Sequence, residues 1–366
     1  MKILYLTKYT RMAGSSRMRS YQYFPYLEKE GMKITVKPFF DEAYLKDFYA
    51  GKKNINTVLK SYLFRFFVFF TIFNYDKIVI EKEIFPFLPA FAEWILMILG
   101  IKYVVDYDDA IFHNYDKSSN PIIKKFLGSK IAKVMRYSGT VVAGNRYLAD
   151  YAQKAGAKNI EIIPTVIDIK RYSSKNTGLE LPPFRAGETN VSRDHTKFIV
   201  GWIGTKTTFE KHLLPCKDWI KELQKLDPEI NFHIVGITED VDLGNNVNYI
   251  QWTEDTEVSE ILKMDVGIMP LQNSEWEKGK CAYKLIQYAA CGIPGVASEV
   301  GMNKDVCVDN ETGFIAKTKE DWIEKIQFLK NNDSARRQLG KSARQLVEEK
   351  YCIQVTAKRW IKILKE

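Results

Sequence analysis

The sequence predicts an α/β protein made of two Rossmann-like domains that face each other across a cleft. Three observations lead there. The chain has 366 residues, 46% of them hydrophobic, enough for two domains at roughly 100–200 residues each. Short β-branched runs alternate with stretches long enough for helices, as a parallel sheet requires because its strands need crossover connections. The alternation also stops once, at Asp168–Lys197, a polar stretch carrying Pro182 and Pro183, and then resumes.

Strands are expected at Lys2–Thr7, Lys33–Phe39, Lys77–Glu81, Tyr103–Asp106, Thr140–Ala143 and Ile160–Pro164, with helices between them such as Ser16–Glu30 and Pro86–Leu99. In the second half, strands are expected at Phe198–Gly204, Asn231–Gly236, Val247–Trp252, Asp265–Leu271 and Gly295–Ser298. Helical patterns lie between these, notably at Lys217–Leu226 and Ala282–Cys291. The last segment is helical, with Trp322, Ile323, Ile326 and Leu329 forming an amphipathic stripe. The expected division is 1–165, a linker at 166–197, 198–350, and a final helix at 351–366.

Composition narrows the function. The hydrophobic content excludes a disordered chain, and five cysteines with no CxxC pair exclude a disulfide scaffold and a zinc site, which points to a reducing compartment. Ile3–Thr7 is too short for a signal-peptide core of about 7–15 apolar residues. No run reaches the ~18 apolar residues of a membrane span, so a cytoplasmic location is expected. Residues 1–165 hold 25 Lys+Arg against 15 Asp+Glu, a net of +10, so the whole excess charge sits on the first half. That asymmetry suits an anionic partner: a membrane face, a phosphorylated acceptor or nucleic acid. The four histidines form no HExxH, and there is no GxSxG elbow and no GxxxxGK[ST] loop.

Open α/β sheets bind ligands at the carboxyl ends of their strands, so candidate residues are sought in the loops that follow. After the first strand, Lys8–Arg19 contains Gly14 and Arg17. Small residues entering a helix present amide donors, and Arg17 suits an anion, although a solvated basic helix start fits the same letters. Asp106-Tyr107-Asp108-Asp109 ends the fourth strand. It reads as a cleft carboxylate that orients an acceptor or acts as a base with His113 nearby, as a DxD metal site, or as an N-cap by Asp109. The cleft carboxylate is preferred, and no metal site is expected. Glu83 follows the third strand and precedes Pro86, facing the cleft or complementing a helix dipole. Leu59–Phe73 interleaves aromatic residues with Lys60 and Arg65, as in an interfacial membrane helix or a buried crossover helix. The charge excess of the same half favours the membrane.

In the second half, GWIGTKTT at Gly201–Thr208 joins a strand to a helix. Gly204 permits close backbone approach, and Thr205 and Lys206 supply a hydroxyl and a charge to a phosphate. The richest stretch, Asp265–Ser298, carries Lys280 and Lys284, which share one helix face if the helix extends back to Lys280. Two cations at a helix N-terminus suit a diphosphate, and a solvated lysine pair is the alternative.

The ordered set GWIGT, DVGIMPL, GKCAYKLIQYAACGIPGVAS, Val300-Gly301 and ETGF resembles the retaining family 4 glycosyltransferases of the GT-B fold. GSSRMRSYQYFPYLEKEG, DYDDAIF, AGNRYL and IPTVID resemble the bacterial subgroup that builds surface polysaccharides. The resemblance implies that residues 198–350 hold a UDP- or GDP-linked sugar and residues 1–165 a saccharide or lipid-linked acceptor. Lys284 would hold the donor diphosphate with the amides of Gly204 and Thr205, helped by Lys206, Arg17, Gly14 and Lys280. Trp252, Thr253 and Gly301 would lie near base or sugar. Gln287 stands where the family commonly has a ribose-binding glutamate, and Gly279 stands eight residues earlier where its partner glutamate is expected. The resemblance also implies retention without a covalent nucleophile, an acceptor hydroxyl oriented by Asp109 or Glu83, and no metal or other cofactor. The final helix would cross back to the first domain, as in that fold, and the excess charge of residues 1–165, rather than the resemblance, makes peripheral contact with the inner face of an anionic membrane an expectation. Two rivals remain: a catalytically idle GT-B binding subunit, motivated by Gln287 and Gly279, and a nucleic-acid-binding protein, motivated by the basic half. Nucleic acid is not the expected partner, because the aromatic cluster carries too few cations for a stacking groove.

Overall fold

The computed structural model describes residues 1–52, 54–172 and 197–366, so most of the expected 166–197 linker lies outside the described residues. The chain divides into two compact units. The first comprises Met1–Thr165 with Lys278–Cys281 and Thr356–Glu366, and the second comprises Val166–Glu277 and Ala282–Val355.

The first unit holds β1 (Lys2–Leu6), α1 (Gly14–Arg19), α2 (Phe24–Lys29), β2 (Lys33–Val36), α3 (Glu42–Tyr49), α4 (Ile55–Phe69), β3 (Lys77–Glu81) and α5 (Phe91–Ile98). It continues with β4 (Tyr103–Tyr107), α6 (His113–Asp116), α7 (Pro121–Leu127), α8 (Lys130–Tyr137), β5 (Thr140–Ala143), α9 (Arg146–Lys154) and β6 (Ile160–Ile162). The sheet runs β2-β1-β3-β4-β5-β6 with every pair parallel. Its central strands are apolar almost without interruption, because helices cover both faces. Ile3, Ile80, Val105 and Val142 are buried in its middle.

The expected Ser16–Glu30 helix is broken by a 3₁₀ turn at Tyr21–Tyr23, and Pro25 opens α2, since proline has no amide to continue a helix from before. Likewise Pro86 and Pro89 keep 86–90 out of the helix, which starts only at Phe91. At the other end of the chain, Trp360 is buried against Tyr23, with ring centroids 5.8 Å apart, and the Tyr23 and Thr356 hydroxyls are 2.9 Å apart.

The second unit orders six strands as β12-β11-β10-β7-β8-β9, again all parallel. These are β7 (Phe198–Ile203), β8 (Ile230–Val235), β9 (Val247–Ile250), β10 (Val266–Met269), β11 (Gly295–Ser298) and β12 (Gly313–Ala316). Its helices are α10 (Lys206–Thr208), α11 (Lys217–Leu226), α12 (Glu257–Leu262), α13 (Glu275–Lys278), α14 (Tyr283–Ala290), α15 (Asn303–Val306), α16 (Lys319–Asn331), α17 (Asp333–Lys350) and the start of α18 (Ile353–Lys365), while Lys278 of α13 and all of α18 from Thr356 onward belong to the first unit. Trp202, Phe232, Ile268 and Val296 from the sheet meet Trp322, Ile326 and Leu329 of α16 in one core. The twelfth strand was not among those expected: four residues, GFIA, are too short and too weakly β-branched to declare themselves.

Candidate functional site

In each sheet the chain starts at an inner strand, fills one side and then the other. The reversal falls between β1 and β3 in the first unit and between β7 and β10 in the second. The loops leaving those strands diverge to opposite faces, which opens a binding crevice at their carboxyl ends.

In the second unit the loop after β7 begins with Gly204. A Cβ there would come within 2.5 Å of the Trp202 ring, so only glycine lets the chain pass over that buried indole. The Lys284 ammonium, on the first turn of α14, lies 5.3 Å from the centre of the same ring. Gly204, Trp202 and Lys284 are thus brought together at the switch point. Helix α14 adds its N-terminal dipole to the lysine charge.

Two expectations for this loop need correction. The Gly204 amide donates to the Val235 carbonyl at 2.9 Å, and the Thr205 amide donates to Thr208 Oγ1 at 3.0 Å. Both donors assigned to a diphosphate are therefore used inside the protein, the first because it prolongs the β7–β8 ladder. Lys206 is exposed and pairs with Glu239 at 2.5 Å. The expected Lys280–Lys284 face does not form either. Helix α14 starts at Tyr283, Ala282 takes a left-handed φ of 50°, and Lys280 belongs to the first unit.

Gln287, on the buried side of α14, donates to the Tyr172 hydroxyl at 3.4 Å. Tyr172 donates to Glu257 Oε1 at 3.2 Å, and Trp252 Nε1 donates to Glu257 Oε2 at 2.8 Å. Burial raises the Tyr172 phenol well above its ordinary pKa, so it stays a donor. Trp252 and Gln287 are thereby joined through two residues that sequence reasoning missed. Thr253 has its hydroxyl 2.6 Å from that of Thr256, in the turn that starts α12. Gly301, after β11, takes a left-handed φ of 51°. Also unforeseen is Glu277, fully buried, paired with Lys211 at 2.5 Å and 3.6 Å from His212 Nε2. Lys211 and His212 lie in a π-helical turn at Phe209–Leu213, a conformation frequent at functional sites.

In the first unit the loops after β1, β3 and β4 converge on a charged cluster. Ser16 Oγ donates to both Glu81 oxygens at 2.8 and 2.9 Å, and the Lys8 amide donates to Glu81 at 3.1 Å. Ser15 Oγ donates to Asp108 at 2.6 Å, and Lys82 pairs with Asp108 at 3.0 Å. Lys82 holds a left-handed φ of 71° while almost fully buried, a strained backbone of the kind found where a fold commits a side chain to a task. Gly14 opens α1, with nothing within 4 Å of where its Cβ would be, and Arg17 is nine-tenths buried on the same helix.

The three carboxylates of Asp106–Asp109 have separate fates. Arg19 Nε donates to Asp106 at 2.9 Å while another of its nitrogens donates to the Ile163 carbonyl at 2.8 Å, so Asp106 is a structural anchor. Burial alone would raise the Asp108 carboxyl, but Lys82, Arg19 and Ser15 outweigh it and hold it far below the usual carboxylate range. Asp109 remains partly exposed, 3.9 Å from Lys280, and burial together with the adjacent Asp108 charge raises its pKa. With Asp106 and Asp108 already neutralised by protein cations, the segment fits a metal ion poorly. Glu83 is a correction: its carboxylate pairs with Lys130 and accepts from Tyr115 Oη at 2.8 Å, all buried. It ties α6 and α8 to the β3 loop and is closed to an acceptor.

The absence of a glutamate at Gly279 also has a steric reason. A Cβ there would sit 2.7 Å from the Ala110 nitrogen and 2.6 Å from its Cβ. Asn145 pins this segment, donating to the carbonyls of Lys278 and Lys280 at 3.2 and 3.0 Å while capping α9.

Residues 200–346 match the family model described as glycosyl transferases group 1, which spans the switch-point loops of the second unit and Lys284. Over its whole length the chain superposes on three kinds of solved structure. Sucrose-phosphate synthase from Thermosynechococcus elongatus is 14% identical, with TM-score 0.68 and coverage of 100% of this chain and 98% of that one. HepE of Anabaena in complex with UDP and glucose is 14% identical, with TM-score 0.71 and coverage of 100% and 99%. The fold is GT-B. A third GT-B structure, titled trehalose-6-phosphate from E. coli bound with UDP-2-fluoro glucose, is 12% identical, with TM-score 0.67 and coverage of 100% and 99%. No curated protein matches the sequence significantly.

Proposed function

We propose that this GT-B protein is a glycosyltransferase that moves a sugar from a UDP- or GDP-linked donor to a saccharide or lipid-linked acceptor. The observation that carries the reading is the Lys284 ammonium held over Trp202 beside Gly204, at the switch point of the second sheet. A fixed cation there stabilises the negative charge that builds on a departing nucleoside diphosphate, the electrostatic contribution that dominates such transfers. The match to the group 1 model over the same residues supports it, as do structural neighbours solved with UDP and UDP-glucose. Asp109, partly exposed at the carboxyl end of β4, orients the acceptor hydroxyl.

Retention of configuration, membership of family 4 and a place in bacterial surface-polysaccharide synthesis rest on the motif resemblance. No metal is required in this reading, because Lys284 supplies the charge and Asp106 and Asp108 are held by Arg19 and Lys82. Five free cysteines agree with a cytoplasmic site of action. Titration of the protein with UDP and GDP, with and without a chelator, is the direct test. Binding of one nucleotide, weakened at least about tenfold by Lys284→Ala, is expected from losing a charge-assisted contact. If neither nucleotide binds, the reading fails.

A second reading is favoured by Gln287, which donates to Tyr172, and by Gly279, which has no room for a side chain. Here the protein binds the nucleotide without turnover and serves as an idle subunit. Nucleotide binding with no hydrolysis or transfer from any UDP- or GDP-sugar selects it.

A further inference from the structure

Helices α4 and α5 each turn large apolar side chains to water on one face and bury a charged side chain on the other. An amphipathic helix normally turns its apolar stripe to the core. On the 15-residue α4, Ile55, Leu59, Leu63, Phe66 and Phe67 recur at helical spacing on the exposed face, and Phe70 extends the stripe past its end. Phe67 is 62% exposed and Ile55 74%. The buried face of the same helix carries Val68 and Phe69 together with Ser61 and a fully buried Arg65, which donates to the carbonyls of Thr7 and Lys37 at 3.0 and 2.9 Å. Helix α5 repeats the pattern: Glu93 is buried beside Ala92 and Leu96 and accepts from the Ile84 amide at 2.8 Å, while Phe91, Trp94 and Ile98 face out.

The two apolar faces belong to one surface. The β2-to-β3 and β3-to-β4 crossovers run in the same direction along the sheet, and right-handed crossovers place both helices on one side of it. Tyr62 of α4 stacks on Phe85 at 6.5 Å, and Phe85 stacks on Phe91 at 5.4 Å, so aromatic contacts run from one helix to the other.

Charge says what covers this surface. Residues 51–75 contain no Asp or Glu, and residues 84–105 contain only Glu93, which is buried. Among the described residues of these segments, every exposed formal charge is a lysine: Lys52, Lys60 and Lys102. In the next crossover, α7 exposes Ile122 and Phe126 beside Lys124 and Lys125. A second copy of the chain on a two-fold axis would set lysines against lysines. Apolar aromatic faces whose own exposed charges are lysines match the acyl boundary and anionic headgroups of a bilayer. Among the described residues no helix is long and apolar enough to cross one.

We propose that the α4–α5 face of the first unit is a bilayer-docking surface that seats the protein in the interface of an anionic membrane. The aromatic and leucine side chains enter the headgroup–acyl boundary, and the lysines meet lipid phosphates. This inference is independent of the transfer reaction, and its assay contains neither donor nor acceptor.

The full-length protein is sedimented with vesicles of phosphatidylcholine alone and of phosphatidylcholine mixed with phosphatidylglycerol. Binding to the mixed vesicles is expected, at least about tenfold weaker on the neutral ones, and weaker as salt rises. The double variant Leu63→Asp/Phe67→Asp is expected to lose at least about tenfold in partition, from two buried anchors. Both positions are exposed, so its circular-dichroism melting curve should stay that of the wild type, and Lys52→Glu/Lys60→Glu gives a charge-reversed variant with the apolar face intact. Failure to bind either vesicle, undiminished binding by the aspartate variant, or a wild-type dimer that this variant converts to a monomer without vesicle binding would each overturn the proposal.

Discussion

Neighbouring side chains of one short acidic segment take opposite protonation behaviour, because burial acts on both while the cations reach them unequally. Asp108 lies 3.0 Å from Lys82 and its pKa is lowered, whereas Asp109 lies 3.9 Å from Lys280 and its pKa is raised. The two signs have opposite consequences for stability. The Asp108 contribution is present above the unfolded carboxylate pKa of about 3.9 and is lost as pH falls below it. Asp109 binds its proton more tightly when folded, so its own contribution falls as pH rises through about 3.9 towards its raised folded pKa. Asp108→Asn should leave Lys82 buried without its counter-ion, costing about 3–5 kcal/mol in urea unfolding at neutral pH. It should also flatten the acid limb of the stability curve and lower the Asp109 pKa, which carboxyl NMR titration reads directly. An unchanged Asp109 titration would show that Asp108 is not what raises it. At Gly279, replacement by Glu should destabilise by at least about 1–3 kcal/mol, because Ala110 leaves no space for a Cβ. That exchange alone also leaves Gln287 at the other position of the expected glutamate pair, so it is not expected to raise activity.

Helix boundaries decide which side chains cooperate. Lys280 and Lys284 stand four apart, a spacing that couples charges on a continuous helix, but α14 begins at Tyr283 after a left-handed Ala282. Lys280→Ala and Lys284→Ala should accordingly add in a double-mutant cycle on stability, with coupling under about 0.5 kcal/mol. A larger coupling would mean that the helix winds back to Lys280 in solution. Letter patterns place helix interiors well and ends poorly: the Ser16–Glu30 expectation missed the break at Tyr21–Tyr23, although Pro25 was there to signal it. The polarity of α4 was beyond any pattern. Leu59–Phe73 reads as a buried crossover or an interfacial helix, with only the charge of its half favouring the membrane, until Arg65 is found inside and Phe67 outside.

At the scale of the molecule, a ligand that binds the native state alone stabilises it by mass action, about 2.7 kcal/mol at a hundredfold excess over Kd. The cognate nucleotide sugar should raise the melting temperature in thermal-shift measurements with the same increment in the presence of a chelator. A rise that the chelator abolishes would overturn the metal-free reading of the donor site. The alternation of strands and helices, the presence of two α/β units and eleven of the strands lie open in the linear order of residues, because parallel sheets buried on both faces require near-continuous apolar runs. Lys284 could also be singled out, since its helix start follows a strand end. What tertiary structure alone decided is which polar groups were still available: the Gly204 amide spent on Val235, Glu83 locked to Lys130, Gln287 turned to Tyr172, Asp109 left partly exposed. Those outcomes depend on partners tens to hundreds of residues away, and distance along a chain carries no information about which of them will meet.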